Sequence, residues 1–317
     1  MKKVFCIGEV LIDFVAENQG GDLSKAKTFT KKAGGAPANV ACAIAKLGGR
    51  AHFLGAVGKD PFGHYLFNVL KTERVALELA QQTDNTFTTL AFVSLDKNGE
   101  RDFVFSRGAD REYAYDPKVK SHFEHNMVHF GAATAMLGGH LEDAYNRYLF
   151  DALTHKAFLS FDPNYRADLW KKREDSFKKK CMPFLEKCHL SKFSLEEAKL
   201  LSGKEDLKDA CAFFHELGTE IVVITLGEQG TLLSTQNISV TVPSIKVNTV
   251  DTTGAGDAFM GCLLKQLADQ DSLLDIARQG DFLTQAVARA NRAGAITTTN
   301  FGAIASLPTP QQLNEVS

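Results

Sequence analysis

Short apolar runs and longer stripes of helical spacing alternate along most of this chain. Lys3 to Ile7 reads as a strand, broken at Gly8-Glu9 before a second extended segment, Val10 to Val15, that carries Asp13 among apolar neighbours. A carboxylate in that setting is either an edge residue or a ligand group for hydroxyls, because a buried charge needs partners. Polar residues from Glu17 to Lys27 read as a loop. Val40, Ile44 and Leu47 then make a helical stripe, with Pro37 in its first turn and Gly48-Gly49 at its end. Asp60-Pro61 opens another helix, continued by Phe62, Leu66 and Leu70. Phe87 to Leu95 and Arg101 to Ser106 are β-rich and joined by Asp96-Lys97-Asn98-Gly99, a strong hairpin signal. Thr86 to Asp110 is too short to hold a crossover helix, so this hairpin should stand apart from a parallel core. Thr28 to Lys31 could add a further strand to it.

From Met127 onward, strands and helices alternate. Val128 to Phe130, Ala157 to Phe161, Leu190 to Phe193 and Ile221 to Leu226 read as strands, with helices near Leu141 to Ala152 and around Glu196-Glu197. This rhythm predicts an α/β fold with a mostly parallel sheet covered on both faces, plus a small β appendage from about residues 10–35 and 86–108. Binding groups in such folds gather beyond the strand C-termini, where Asp162, Arg166, Glu197, Gly227 and Gly254 fall.

Two windows carry chemistry. Asn248 to Leu264 starts extended and becomes an amphipathic helix, with Ala255, Phe259, Cys262 and Leu263 at helical spacing. Gly254, Ala255 and Gly256 at the junction would offer orphan N–H groups to an anion, with Asp257 beside them. That pairing suits phosphoryl transfer, and it equally suits a capped helix with an acidic first turn. In Lys32 to Leu47, Gly34-Gly35 permits close backbone approach and Asn39 is a polar group on a small-residue face; a tight helix start reads it as well.

Composition narrows the classes. At 317 residues, 44% hydrophobic and 23% charged, the chain suits one large α/β domain. A net charge of −2 and no basic patch interleaved with aromatics argue against nucleic acid. No apolar run approaches a membrane span, and Glu9 and Asp13 interrupt any signal-like start, which reads as cytoplasmic. The six cysteines form no C-x-x-C and read as buried thiols; His122, His125, His129 and His140 read as scattered rather than as a site.

There is no G-x-x-x-x-G-K-[ST], no G-x-G-x-x-G after the first strand, no G-x-S-x-G and no H-E-x-x-H. Asp251-Thr252-Thr253-Gly254-Ala255-Gly256-Asp257-Ala258-Phe259 resembles the C-terminal signature of the ribokinase-like (pfkB) carbohydrate kinases. Gly34-Gly35-Ala36-Pro37-Ala38-Asn39-Val40-Ala41 resembles their N-terminal glycine signature, and the similarity extends over nearly the whole chain. The fructokinase branch looks nearest, through Asp162-Pro163-Asn164-Tyr165-Arg166 and Phe105-Ser106-Arg107-Gly108-Ala109-Asp110.

The resemblance implies a three-layer α/β/α core, a β lid over the sugar, and ATP-dependent phosphorylation of a sugar hydroxyl, with fructose the leading substrate. It implies Asp257 as general base and the 254–256 amides as anion hole. Asp13, Gly34, Gly35, Asn39, Arg107 and Arg166 match sugar-contacting positions, with Arg166 able to meet oxygens as a fork. Thr225, Gly227 and Gly230 match a nucleotide turn; Lys192 and Asn291 join them, Asn291 on a helix bordering the adenine. Ser194-Leu195-Glu196-Glu197 resembles N-x-x-E with Ser in place of Asn, leaving Glu197 to organise Mg2+ through water. Asp251, Thr253, Gly302 and Ser306 resemble a monovalent-cation site, for which K+ is the ion. Rival substrates are a ribosyl compound (a nucleoside or aminoimidazole riboside), stacked on Phe14, Phe92, Phe103 or Phe105, and 2-keto-3-deoxygluconate, held by Arg107 and Arg166. A non-catalytic sugar or nucleotide sensor is disfavoured because Asp257, Gly254 and Gly256 are all retained. Exposed lid strands suggest a homodimer through the lid.

Overall fold

In the computed structural model, which describes residues 1–17, 23–95 and 101–315, an eight-stranded sheet forms the middle layer. Its order across the sheet is Ser239–Val242, Thr231–Ser234, Ile221–Thr225, Leu190–Ser194, Phe158–Phe161, Met127–Phe130, Lys3–Ile7 and Arg50–Leu54. All neighbours pair in parallel except at one edge, where Thr231–Ser234 and Ser239–Val242 run antiparallel to what precedes them. Parallel strands covered on both faces need apolar residues at every position, and Val4 to Ile7, Phe158 to Phe161 and Ile221 to Ile224 are buried throughout, Ser160 being the polar member. Two cores follow, one on each face of the sheet.

Helix Ala255–Ala268 departs from the amphipathic expectation. Every residue from Asp257 to Leu264 is buried, and the side-chain pattern does not divide into two faces. The helix lies between two others, so there is no solvent side to be polar. Gly261 admits Ala36–Lys46, since a Cβ there would lie 2.5 Å from the Ala43 Cβ. On the other flank, a Cβ at Gly294 of Gly280–Thr297 would come within 3.1 Å of the Ala255 carbonyl. The stretch before it, Pro243 to Val250, is irregular rather than a strand.

A second sheet of four strands has the order Phe29–Gly34, Leu11–Ala16, Leu90–Leu95 and Arg101–Ser106. Leu11–Ala16 runs parallel to Leu90–Leu95, whereas the two outer pairings are antiparallel. The Asp96 to Gly99 turn lies outside the described residues, although the register continues to Leu95 opposite Arg101. Helix Pro61–Thr72 anchors this region: its N-cap Asp60 accepts from Gly63 N at 2.8 Å and from Thr88 N at 2.6 Å. No helix among the described residues is long and apolar enough to cross a membrane.

Candidate active site

The two glycine-rich windows meet. Asn39, on the first turns of Ala36–Lys46, donates from Nδ2 to Asp257 Oδ2 at 2.8 Å. Gly254 caps the Asp257 helix at φ 80°, a left-handed conformation that glycine adopts without a side-chain penalty. A side chain there would also strike Ala303, whose Cβ would lie 2.6 Å away. The first helical bond runs from Ala258 N to Gly254 O at 2.8 Å, so the N–H groups of Ala255, Gly256 and Asp257 lie outside the helical ladder. Ala255 N reaches the Thr252 carbonyl at 3.3 Å, a long contact.

Asp257 is buried, and that burial raises its carboxyl above the usual range; the Asn39 hydrogen bond and the charges of Arg166 and Lys192 pull it back down. Lys192, from the strand Leu190–Ser194, reaches Asp162 Oδ2 at 3.0 Å with both groups buried. Its ammonium also lies beside the first turn of the Asp257 helix, since a Cβ on Gly256 would be 3.1 Å from Lys192 Nζ. Burial alone would lower this ammonium's pKa, yet Asp162, Glu197 and Asp257 hold it above the ordinary value. Asp162 is raised by its own burial in spite of Lys192. One ammonium serving three carboxylates keeps its proton, and that direction decides the state of the pair.

Glu197 is occupied on both oxygens. Oε2 accepts from Ser194 N and Oε1 from Tyr165 N, each at 2.7 Å, while Ser194 Oγ accepts from Glu197 N at 3.2 Å. Ser194 is therefore the N-cap of a capping box. Glu197 thereby ties the helix Leu195–Ser202 to the loop bearing Arg166. The Arg166 fork is turned onto that loop, donating to Tyr165 O at 3.2 Å and Asn164 Oδ1 at 3.1 Å. Arg107 is likewise engaged, by Asp110 Oδ2 and the Thr134 carbonyl, each at 3.0 Å.

On the four-stranded sheet, Asp13 faces Gly34 so closely that a Cβ on Gly34 would lie 2.0 Å from Asp13 Oδ2. Gly35, at φ 107°, packs on the backbone of Glu9 and Val10, where a Cβ would meet the Glu9 carbonyl at 2.5 Å. The register places Phe103 and Phe105 on the Asp13 face. Phe14 and Phe92 stack on the opposite face at 5.1 Å, with Phe14 against Phe62 of the neighbouring helix. They are structural there and cannot line a pocket shared with Asp13.

The remaining residues fall into two groups. Thr225 Oγ1 donates to Phe193 O at 3.2 Å, ahead of a turn in which Gly227 has φ 60° and Gly230 φ 99°. A Cβ at Gly230 would sit 2.1 Å from Val242 O, whereas Gly227 opens onto free space. The Asn291 side chain is committed within the protein, accepting from Thr231 Oγ1 at 2.6 Å and donating to Val242 O at 2.9 Å. Asp251 gathers the second group: it accepts from Thr253 N at 2.9 Å, Thr253 Oγ1 at 2.6 Å and Gly302 N at 2.9 Å. Burial would raise the Asp251 carboxyl, but those donors and Lys32 hold it below its ordinary value. Ser306 Oγ is buried and has no hydrogen-bond partner among the described residues.

Sequence reasoning missed Glu9 as a site residue, reading it as a strand break and as an argument against a signal segment. It is buried at the C-terminal end of the first strand, accepting from Ala36 N and from Thr134. Its signal was position, a carboxylate just beyond a central strand. The histidines scatter as read: His129 is buried against Ser160, and His122, His125 and His140 are exposed. All six cysteines are buried and free.

The model of the pfkB family carbohydrate kinases matches residues 1–310. The probable fructokinase-2 of Arabidopsis thaliana is 37% identical over 311 residues, covering 96% of this chain and 93% of that protein. The fructokinase of Xylella fastidiosa, solved with bound ATP, superposes with a TM-score of 0.86 at 28% identity, over 98% of this chain and 97% of the other. A double mutant of the fructokinase of Vibrio cholerae O395, solved with fructose, ADP and a potassium ion, gives 0.86 at 29% identity, over 99% and 97%. The chain belongs to the pfkB family of carbohydrate kinases.

Proposed function

We propose that this chain transfers the γ-phosphate of ATP to a hydroxyl of fructose. The observation that carries the reading is the buried Asp257, joined to Asn39 and set beside amides left outside the helical ladder. The hydroxyl proton passes to Asp257 as the sugar oxygen bonds to phosphorus and the bond to ADP breaks. The Gly254, Ala255 and Gly256 amides hold the charge on the transferred group, and Lys192 adds a positive charge beneath them. Asp13, Gly34, Gly35 and Asn39 bind the sugar, with Arg107 meeting it through Nη1 while Nε and Nη2 stay on Asp110 and Thr134, and Arg166 released from its internal acceptors to reach it. Relatives solved with fructose, ADP or ATP support this assignment.

The four-stranded sheet serves as a lid on a single kinase domain, inserted from about residues 10–35 and 86–108. Its exposed edges offer a homodimer contact. Thr225, Gly227 and Gly230 take the nucleotide phosphates, and Asn291 acts through the strands that it pins rather than by touching adenine.

Magnesium fits as an ion that arrives with ATP. Among the described residues no three His, Cys, Asp or Glu side chains could cage a metal, and Mg2+ keeps phosphates and waters as most of its ligands. Glu197, both of whose oxygens already accept from the backbone, would join through water. When bound, the ion neutralises charge on the phosphates. For a monovalent cation, Asp251 supplies charge and the orphan Ser306 Oγ an oxygen, with Thr253 and Gly302 placing the carboxylate. Potassium fits such an all-oxygen set and is present in one relative.

Coupled ADP release across fructose, aminoimidazole riboside, a nucleoside and 2-keto-3-deoxygluconate tests the substrate. Fructose should give the highest kcat/KM. A higher value for another compound would reassign the substrate, and no ADP release with any would remove the kinase reading.

A further inference from the structure

We infer that Glu9 is a positioning residue that holds the sugar pocket together, through contacts that depend on its carboxylate. The inference rests on the sugar-kinase reading. Glu9 is 1% exposed, yet its two oxygens reach two separate parts of the site. Oε1 accepts from Ala36 N at 3.2 Å, directly after Gly35, and the Glu9 carbonyl lies against the Gly35 Cα. Oε2 accepts from Thr134 Oγ1 at 3.2 Å and from Thr134 N at 3.5 Å. The Thr134 carbonyl in turn accepts from Arg107 Nη2 at 3.0 Å. One side chain therefore sets the Gly35 turn, from which the Asn39 helix departs, and the segment that holds Arg107.

Every group that contacts the carboxylate is a donor. An ionised Glu9 satisfies all of them; a protonated one must turn an O–H toward a donor, and a glutamine must turn an NH2. Burial, reinforced by the negative charge of Asp110, pushes Glu9 up to about 7, while the backbone N–H groups of Glu9, Ala36 and Thr134 oppose the rise. The titratable groups that face it are Asp110, from the 109–112 turn, and Tyr145, from the helix His140–Thr154. Tyr145 is itself pushed well up by burial and stays neutral. Arg107 is paired to Asp110. The helix Ala36–Lys46 presents its N-terminal N–H, which favours the ionised form. Glu9 is thus the group at the Gly35–Thr134 junction that changes charge near neutrality, Asp162 on Lys192 being the other buried carboxyl raised to about 7, and the Glu9 variants separate its share of the pH dependence of sugar affinity.

The test compares wild type with Glu9→Gln, reading KM for fructose and for ATP separately between pH 6 and pH 8.5. The wild type should show a fructose KM that rises as pH falls through about 7. Glu9→Gln should raise that KM on the order of ten-fold at high pH and flatten its pH dependence, leaving KM for ATP unchanged. Glu9→Asp should recover part of the pH dependence. A folded Glu9→Gln enzyme with the wild-type pH dependence, or a wild type with none, overturns the inference. Should Glu9→Gln fail to fold, Thr134→Val removes one donor to the ionised carboxylate and should move the midpoint to higher pH; an unmoved midpoint overturns the inference. A wild type without sugar-dependent ADP release would overturn the kinase reading, and this inference with it.

Discussion

Asn39 and Asp257 lie 218 positions apart in sequence and 2.8 Å apart through one hydrogen bond. That bond joins the N-terminal glycine turn to helix Ala255–Ala268, so the walls proposed for sugar and for phosphate share a residue contact. It also sets the proton affinity of the proposed base. Burial raises Asp257, and Asn39 supplies the leading opposition.

Asn39→Ala should therefore move the acid limb of the kcat profile to higher pH. Asp257 must be ionised to accept a proton, so activity falls as pH drops through its pKa, and losing a donor to the carboxylate raises that pKa. The pH dependence of kcat at saturating fructose and ATP checks this. An acid limb unmoved by the substitution would separate Asn39 from the base.

Gly34→Ala should raise KM for fructose by about ten-fold or more while leaving KM for ATP near the wild-type value. The added methyl would fall 2.0 Å from Asp13 Oδ2, so the carboxylate has to leave its place. A hydrogen bond to a charged group is worth about 1.5–3 kcal/mol, which sets the size of the loss. Steady-state kinetics with each substrate varied in turn decide it.

Lys192→Met should lower stability by about 3–5 kcal/mol, because it leaves buried carboxylates without their cation. Adding Asp162→Asn should restore part of that loss, since the ion-pair partner would no longer carry charge. Chemical denaturation of the two single variants and the double variant gives the coupling.

Glu9 also makes a stability prediction. Its folded pKa of about 7 exceeds the ordinary carboxyl value of 4.5, so the folded chain holds this proton more tightly than the unfolded chain. The contribution is full below the unfolded pKa and is lost as pH rises through about 7. Between pH 4.5 and 8 the wild type should lose on the order of 3 kcal/mol more than Glu9→Gln, judging from the size of the shift. Denaturation midpoints for both proteins across that range test the difference.

Much of the architecture was legible because it is local. Apolar runs such as Ile221 to Ile224, buried at every position, advertise a parallel sheet, and Asp60-Pro61 marks a helix start through its own capping chemistry. Helix Ala255–Ala268 reads as amphipathic from its sequence yet lies between two helices closing on Gly261 and Ala255, surroundings set by distant residues. The antiparallel edge strands Thr231–Ser234 and Ser239–Val242 are only four residues each, too short for their pattern to stand out from a loop. In the site, the signatures named residues but not their partners. The Glu9 contact with Thr134 spans 125 positions, and the folding of the Arg166 fork back onto its own loop depends on side-chain geometry that no spacing encodes.

The central claim is that Asp257 takes the proton while the adjacent amides hold the phosphate. Asp257→Asn keeps the side chain's shape and removes the base. Its turnover of fructose and its ATP affinity, measured side by side with wild type, test the claim most directly. The account predicts ATP binding retained and turnover lower by about 10²–10⁴-fold; near-native turnover in Asp257→Asn would contradict it.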